Sequence, residues 1–126
     1  MGETLKYTTQ IFFCPQSFTV FFDSGGAHAH WWDWTAPYLN NFGTGLDHIV
    51  ALDLSGHGDS DYRDEYSMSA HAREVMSVAK DASNLTGSQG PPVLIGHSFG
   101  GWVVMNCGRT YGDQLGGVIT IDAGET

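Results

Sequence analysis

The stretch PPVLIGHSFGGWVV, residues 91–104, runs from two prolines through an apolar segment into Gly-His-Ser-Phe-Gly and then back into apolar residues. The apolar residues before Gly96 are typical of a buried strand, and residues 99–111 are typical of a buried helix. A serine at such a junction matches the pattern G-x-S-x-G, in which a tight strand-to-helix turn lifts the serine hydroxyl above the sheet. The sequence therefore predicts a nucleophile at Ser98.

The predicted turn accounts for the residues around Ser98. It strains the serine backbone and brings positions 96 and 100 together, which favours glycine at both. Gly101 lets the helix pack closely on the strand. The helix N-terminus stabilises negative charge near Ser98, and the backbone N–H of Phe99 points toward the oxygen of a reacting carbonyl. The alternative is a strand that ends in an ordinary Gly/Ser turn.

Short apolar segments alternate with amphipathic ones along the rest of the chain. This alternation predicts an α/β fold with a mostly parallel sheet and helices on both faces. Strands are predicted at residues 18–22, 48–54, 92–96 and 117–121, with an edge strand at 5–13. Helices are predicted at residues 30–42, 67–85 and 99–111, and Ser67 is the expected N-cap of the second.

Composition narrows the classes of function. The 126 residues suit one domain, and 14 acidic against 5 basic residues, a net charge of −9, argue against nucleic acid or an anionic membrane as partner. No signal peptide is apparent, and no apolar segment approaches the ~20 residues of a membrane span, so a cytoplasmic protein is expected. Cys14 and Cys107 are expected to be buried free thiols.

Three motifs together resemble the α/β-hydrolase superfamily, and they occur in that family's order. Residues 23–32, DSGGAHAHWW, are similar to the oxyanion loop and the start of the helix after it. Residues 53–60, DLSGHGDS, are similar to the family's D-x-x-G-x-G-x-S loop. The turn at Ser98 is the third motif. The resemblance extends over the chain after about residue 17 and is strongest to small esterase-like members.

The resemblance implies a serine hydrolase that acts on a carboxylic ester of a small molecule through an acyl-enzyme on Ser98, with no cofactor and no metal. The backbone N–H groups of Gly25 and Phe99 are its implied oxyanion donors. Asp23-Ser24 stands where the family has His-Gly, and a carboxylate is unfavourable near developing negative charge. The geometry of the first donor is therefore in question.

Chain length is a larger departure from the family. The family fold needs about twice this length and takes its catalytic histidine from a loop after the last strand, whereas no histidine follows His97. Residues 1–126 are therefore interpreted as one partial domain that is incomplete at its C-terminus and inactive, or nearly so, alone. Asp122 follows the strand at 117–121, where some members have the catalytic acid and others a structural Asp. The structural role is preferred.

Other histidines offer weak alternatives for the catalytic base. His57 stands at the C-terminal edge of the predicted sheet, but the family uses that loop structurally. His28 and His30 either line the pocket or are structural, and a metal site built from them with His57 lacks a recognised ligand spacing. His48 and His71 are interpreted as surface or packing residues.

A different class of function stays open, namely a non-catalytic relic that binds a small ligand or another protein on half of the fold. Asp23-Ser24 and the missing base favour it. A dehalogenase is disfavoured because that chemistry needs an Asp in place of Ser98. In either class, residues 117–121 are expected to form an unpaired apolar edge that promotes self-association.

Overall fold

The computed structural model describes residues 9–13, 18–22, 48–55, 60, 62–86 and 90–123. In these ranges the elements follow in the order β1 (Thr9–Phe13), β2 (Phe18–Phe22), β3 (His48–Leu52), α1 (Met68–Thr86), β4 (Val93–His97), α2 (Phe99–Tyr111) and β5 (Gly117–Ile121). A 3-10 turn at Gly112–Gln114 connects α2 to β5.

The strands form one sheet in the order β1-β3-β2-β4-β5. β2 is parallel to β3 and to β4, and β4 is parallel to β5. β1 is antiparallel to β3 and lies at one edge. The predicted mostly parallel sheet and its edge strand are therefore confirmed. Because β2 to β5 run in the same direction, their carboxyl ends meet at one edge of the sheet, where Gly96 pairs with Thr120 and His97 with Ile121.

Where the structure describes the predicted elements, they differ from the prediction only in their bounds. The strands at 18–22 and 117–121 and the helix at 99–111 coincide with β2, β5 and α2. β3 ends at Leu52 rather than at residue 54, because the chain turns away into a loop in which the Asp53 carbonyl accepts the hydroxyl of Ser60. The helix predicted at 30–42 lies outside the described residues.

The core lies between the sheet and the two described helices. The Ser67 hydroxyl accepts the N–H of Ala70 at 3.0 Å, which confirms the predicted N-cap of α1. The apolar stripe of α1 packs with α2, β3 and β4 in a cluster made of Val50, Leu52, Leu54, Ala72, Val75, Val78, Ala79, Ala82, Leu94, Val103, Val104 and Cys107. Within the described ranges, neither helix is both long enough and apolar enough to cross a bilayer.

One of the two cysteines can be placed in this core. Cys107 is a buried free thiol, as predicted, and its Sγ lies 3.8 Å from the Ala72 carbonyl oxygen. Burial raises the pKa of this thiol to about 12, so it stays protonated at neutral pH. Cys14 lies outside the described residues.

Candidate active site

Ser98 occupies the junction between β4 and α2 in a strained backbone conformation. Its φ is 52° and its ψ is −115°, in a region that glycine favours. Such a conformation costs on the order of 1–3 kcal/mol and persists only where neighbours enforce it. The Ser98 N–H donates to the carbonyl of Ile121 at 2.9 Å, and the Ser98 carbonyl accepts the N–H of Gly101 at 2.9 Å. Bonds on both sides of Ser98 therefore hold the turn.

The glycines of the motif permit this turn by their lack of side chains. A Cβ placed on Gly96 would lie 2.2 Å from the carbonyl oxygen of Gly100. The predicted close approach of positions 96 and 100 is thus present. A Cβ on Gly101 would lie 2.4 Å from the Cβ of Ala123 and 3.3 Å from the Gly96 carbonyl oxygen. Gly101 consequently lets α2 pack against both β4 and the segment that follows β5.

The first turn of α2 starts immediately after Ser98. Phe99 is the first residue of α2, and helix N-termini carry partial positive charge because their leading N–H groups lack intrahelical acceptors. This arrangement favours negative charge beside the half-buried Ser98. The oxyanion role of the Phe99 N–H stays a prediction.

Asp122 lies at the carboxyl end of the strand next to Ser98. It follows Ile121, the residue whose carbonyl accepts the Ser98 N–H, and it is exposed. Its φ of 52° is also positive, a conformation that Asp adopts more readily than most residues. The structure thus brings the backbone of Asp122 to the elbow. The other predicted site residues lie outside the described residues: Asp23, Ser24, Gly25, His28, His30 and His57.

The two ends of the second motif are joined by a hydrogen bond. The Ser60 hydroxyl donates to the carbonyl oxygen of Asp53 at 2.6 Å, and both residues are buried. This bond joins the first and last residues of the motif at the carboxyl end of β3. This bond is consistent with the structural role that the resemblance implies for the loop.

A buried polar network, which sequence reasoning missed, lies between this loop and the elbow. Its centre is Glu74 of α1, which is only 2 % exposed. The Glu74 carboxylate accepts the backbone N–H of Ser55 at 3.1 Å, the Ser55 hydroxyl, and the Nε–H of Arg63. Its Oε2 lies 3.4 Å from Nδ1 of His71. We call Ser55, Arg63, His71 and Glu74 the Glu74 network.

The Glu74 network keeps its central carboxyl ionised. Burial alone raises the pKa of Glu74, but hydrogen bonds from His71, Ser55 and Arg63 outweigh burial and lower this pKa to about 2. A carboxylate only accepts hydrogen bonds, so Nδ1 of His71 is the ring nitrogen that carries a proton toward Glu74. His71 and Glu74 are three residues apart on one helix, a spacing at which side chains meet, and this was the available signal in the sequence.

His71 connects the Glu74 network to the elbow. Its ring stacks on Tyr66, with centroids 5.7 Å apart, and meets the ring of Phe99 edge-on at 5.4 Å and 86°. His71 is 3 % exposed, so of the two roles expected for it, surface or packing, the structure shows packing. Within the described part of the chain, no three His, Cys, Asp or Glu side chains group as metal ligands do.

A surface groove of about 600 Å³ lies at the opposite end of β4. It is lined by α1 residues that include Arg73 and Lys80, by Pro91 and Pro92 before β4, and by Tyr111. Because Ser98 follows the carboxyl end of β4, this groove and the elbow are separated by the length of the strand. The groove is therefore not part of the candidate active site.

Comparison with known proteins finds curated enzymes that are similar in sequence. Lipase LipV of Mycobacterium tuberculosis is 31 % identical over 74 residues, which cover 59 % of this chain and 26 % of the lipase. Protein phosphatase methylesterase 1 of Bos taurus is 36 % identical over 89 residues, which cover 65 % of this chain and 21 % of the methylesterase.

Solved structures extend the likeness to the fold. A thermophilic esterase from Thermogutta terrifontis superposes with a TM-score of 0.78 at 22 % identity, over 92 % of this chain and 40 % of the esterase. The chain thus spans less than half the length of these relatives. The model of the "Alpha/beta hydrolase family" matches residues 20–125, which include the last three residues of β2, all of β3 to β5, the motif at residues 53–60 and the elbow. With that match over most of its length, the chain belongs to the alpha/beta hydrolase family.

Proposed function

We propose that this chain carries the nucleophile-bearing part of a serine hydrolase that cleaves carboxylic esters of small molecules through an acyl-enzyme on Ser98. The observation that carries the proposal is the positive φ of Ser98 at the head of α2. A serine held there at a cost in stability is typical of a functional position, since strain of this kind clusters at active sites. The esterases and lipases among its relatives support the same reaction class.

In the proposed mechanism, the Ser98 oxygen attacks the ester carbonyl carbon while its proton passes to a base. The bond from carbon to the alcohol oxygen then breaks, and the alcohol leaves with that proton. Water attacks the acyl-enzyme, releases the carboxylic acid and returns a proton to Ser98. The backbone N–H groups of Phe99 and Gly25 stabilise the oxyanion, and each such donor contributes roughly 10²–10³-fold in rate. None of these steps needs a cofactor or metal.

The proposal for the base and the acid concerns the residues that follow Ser98. Residues 98–126 contain no histidine, and histidine is the usual base in this chemistry. Loss of the base from a serine triad costs about 10⁶-fold in kcat, so we propose that this chain alone is inactive or nearly so. Asp122 is proposed as a structural residue at the junction of β5 and the elbow, with catalytic acid as its second role.

We further propose that residues 1–126 form one partial domain, located in the cytoplasm, that associates through β5. Among the described strands, β5 pairs only with β4, so its other edge has no described partner. Ile119 and Ile121 of β5 are 49 % and 43 % exposed. An apolar edge of this kind favours pairing with a second copy.

A fluorophosphonate, which reacts with activated serines, tests the proposed nucleophile. Ser98 is expected to be labelled slowly, and imidazole in the buffer is expected to accelerate labelling because it supplies a base. Ser98→Ala should abolish labelling, whereas Ser77→Ala, on the exposed face of α1, should leave it unchanged. Folded protein that stays unlabelled even with imidazole would contradict the proposal and favour a non-catalytic binding protein.

A further inference from the structure

We propose that His71 is a positioning residue for Phe99, holding the residue that follows the nucleophile so that its backbone N–H faces the oxyanion. The inference rests on the proposed function, in which that N–H is an oxyanion donor. Its basis is the edge-on contact between the two rings and the attachment of His71 to the buried Glu74. His71 acts through Phe99 in this proposal and touches no reacting atom.

The first step of the argument is that the His71 ring is held from several sides. Glu74 is itself fixed by Ser55 at the end of β3 and by Arg63 in the loop before α1. Tyr66 covers one face of the His71 ring, and Phe99 meets the ring edge-on. A ring that is almost fully buried between these groups has little freedom to rotate.

The second step concerns the peptide group that joins Ser98 to Phe99. Phe99 is the first residue of α2, and its N–H belongs to this peptide group, so the placement of the Phe99 side chain bears on where that N–H points. Its side chain packs against the core and against His71.

The third step is that these contacts link two separate motifs. Ser55 belongs to the loop after β3, and Phe99 belongs to the elbow after β4. The Glu74 network and the ring of His71 form a continuous chain of contacts between them. The loop after β3 therefore helps to align the oxyanion donor, a role beyond closing its own turn.

The test separates the ring of His71 from its hydrogen bond. His71→Asn keeps a donor near the Nδ1 position but removes the ring, whereas His71→Phe keeps an aromatic edge for Phe99. Fluorophosphonate labelling, with imidazole present, should slow about tenfold in His71→Asn and recover most of its rate in His71→Phe. The amide signal of Phe99 in a ¹H–¹⁵N spectrum should move in His71→Asn and stay closer to its original position in His71→Phe.

Ala82→Gly is the control for a general loss of stability. It weakens α1 about 16 Å along the helix from His71 and should leave the labelling rate and the Phe99 amide signal unchanged. Phe99→Leu removes the ring contact from the other side, and adding His71→Asn to it should then slow labelling no further. A full additional tenfold loss in that double variant would overturn the proposal.

The readouts also distinguish this proposal from the proposed function. If the unaltered chain is labelled, and His71→Asn is labelled equally fast with an unmoved Phe99 amide, then the positioning role is wrong and the hydrolase assignment stands. If the unaltered chain is never labelled but the Phe99 amide moves in His71→Asn, then the structural coupling holds and the hydrolase assignment is wrong.

Discussion

The backbone N–H of Ser98 donates a hydrogen bond to the carbonyl oxygen of Ile121 at 2.9 Å, which ties the elbow to the end of the neighbouring strand. Ser98 lies beyond the paired residues His97 and Ile121, so this bond continues the β4–β5 ladder past its last pair. The strained φ of Ser98 is therefore held by a tertiary contact and not by the turn alone.

Gly96→Ala is expected to destabilise the fold by about 2–3 kcal/mol, because the added methyl group would overlap the rigid carbonyl of Gly100. The matched control is Gly117→Ala on the adjacent strand, where an added Cβ meets nothing within 4 Å. Urea unfolding measures both free energies. Equal effects of the two substitutions would show that Gly96 and Gly100 do not approach as described.

The free energy of unfolding of Ser98→Gly is expected to be about 1 kcal/mol higher than that of Ser98→Ala, because only glycine relieves the strain of the positive φ. Both variants lack the hydroxyl, so their difference reports the backbone. The same pair at Ser77, in the middle of α1, should show the opposite sign by a similar amount, because glycine weakens a helix. A lower stability for Ser98→Gly than for Ser98→Ala would contradict the strained elbow.

Because of Glu74, the stability of the chain should fall at acid pH. Its pKa is about 2 when folded against an ordinary value of 4.5, so its contribution is complete above pH 4.5 and is lost as the pH falls toward 2. A shift of this size corresponds to about 3 kcal/mol. Glu74→Gln should therefore be less stable than the unaltered chain by about that amount at pH 7. This difference in the free energy of unfolding should narrow below pH 4.5.

The control for Glu74 is Glu65→Gln, an exposed position where the free energy of unfolding should change by less than about 0.5 kcal/mol. Urea titrations at pH 7, 5, 4 and 3.5 follow both variants. If the free energies of unfolding of Glu74→Gln and the unaltered chain differ by a constant amount over this range, the Glu74 carboxylate is not held by its hydrogen bonds.

Lysine at Ile119 and Ile121 should reduce self-association of the chain. Both side chains are exposed on β5, and a charged edge strand resists pairing with another copy. Light scattering after size exclusion is expected to show a larger monomer fraction in the double variant. Lysine at the exposed Tyr62, in the segment before α1, is the control. An unaltered chain that is monomeric at all concentrations would refute association through β5.

Much of the fold was predictable because its signals are local. The apolar runs at 18–22 and 117–121 and the helix at 99–111 follow from residue periodicity, which acts over a few neighbours. The elbow was predictable for the same reason, since the spacing of Gly96, Ser98 and Gly100 reflects what a tight turn allows. The Glu74 network was not predictable in this way, because Glu74 looks like one more charged residue on a helix.

The sequence by itself determined the order of strands and helices, the place of the turn at Ser98 and the family to which the chain belongs. Only the tertiary structure decided that Glu74 is buried, that His71 lies against Phe99 and that Ile121 holds Ser98. The physical reason is range. Backbone preferences and periodicity act between neighbours in the chain, whereas a buried carboxylate is stable only when residues as distant as Ser55, 19 positions away, come within hydrogen-bond distance.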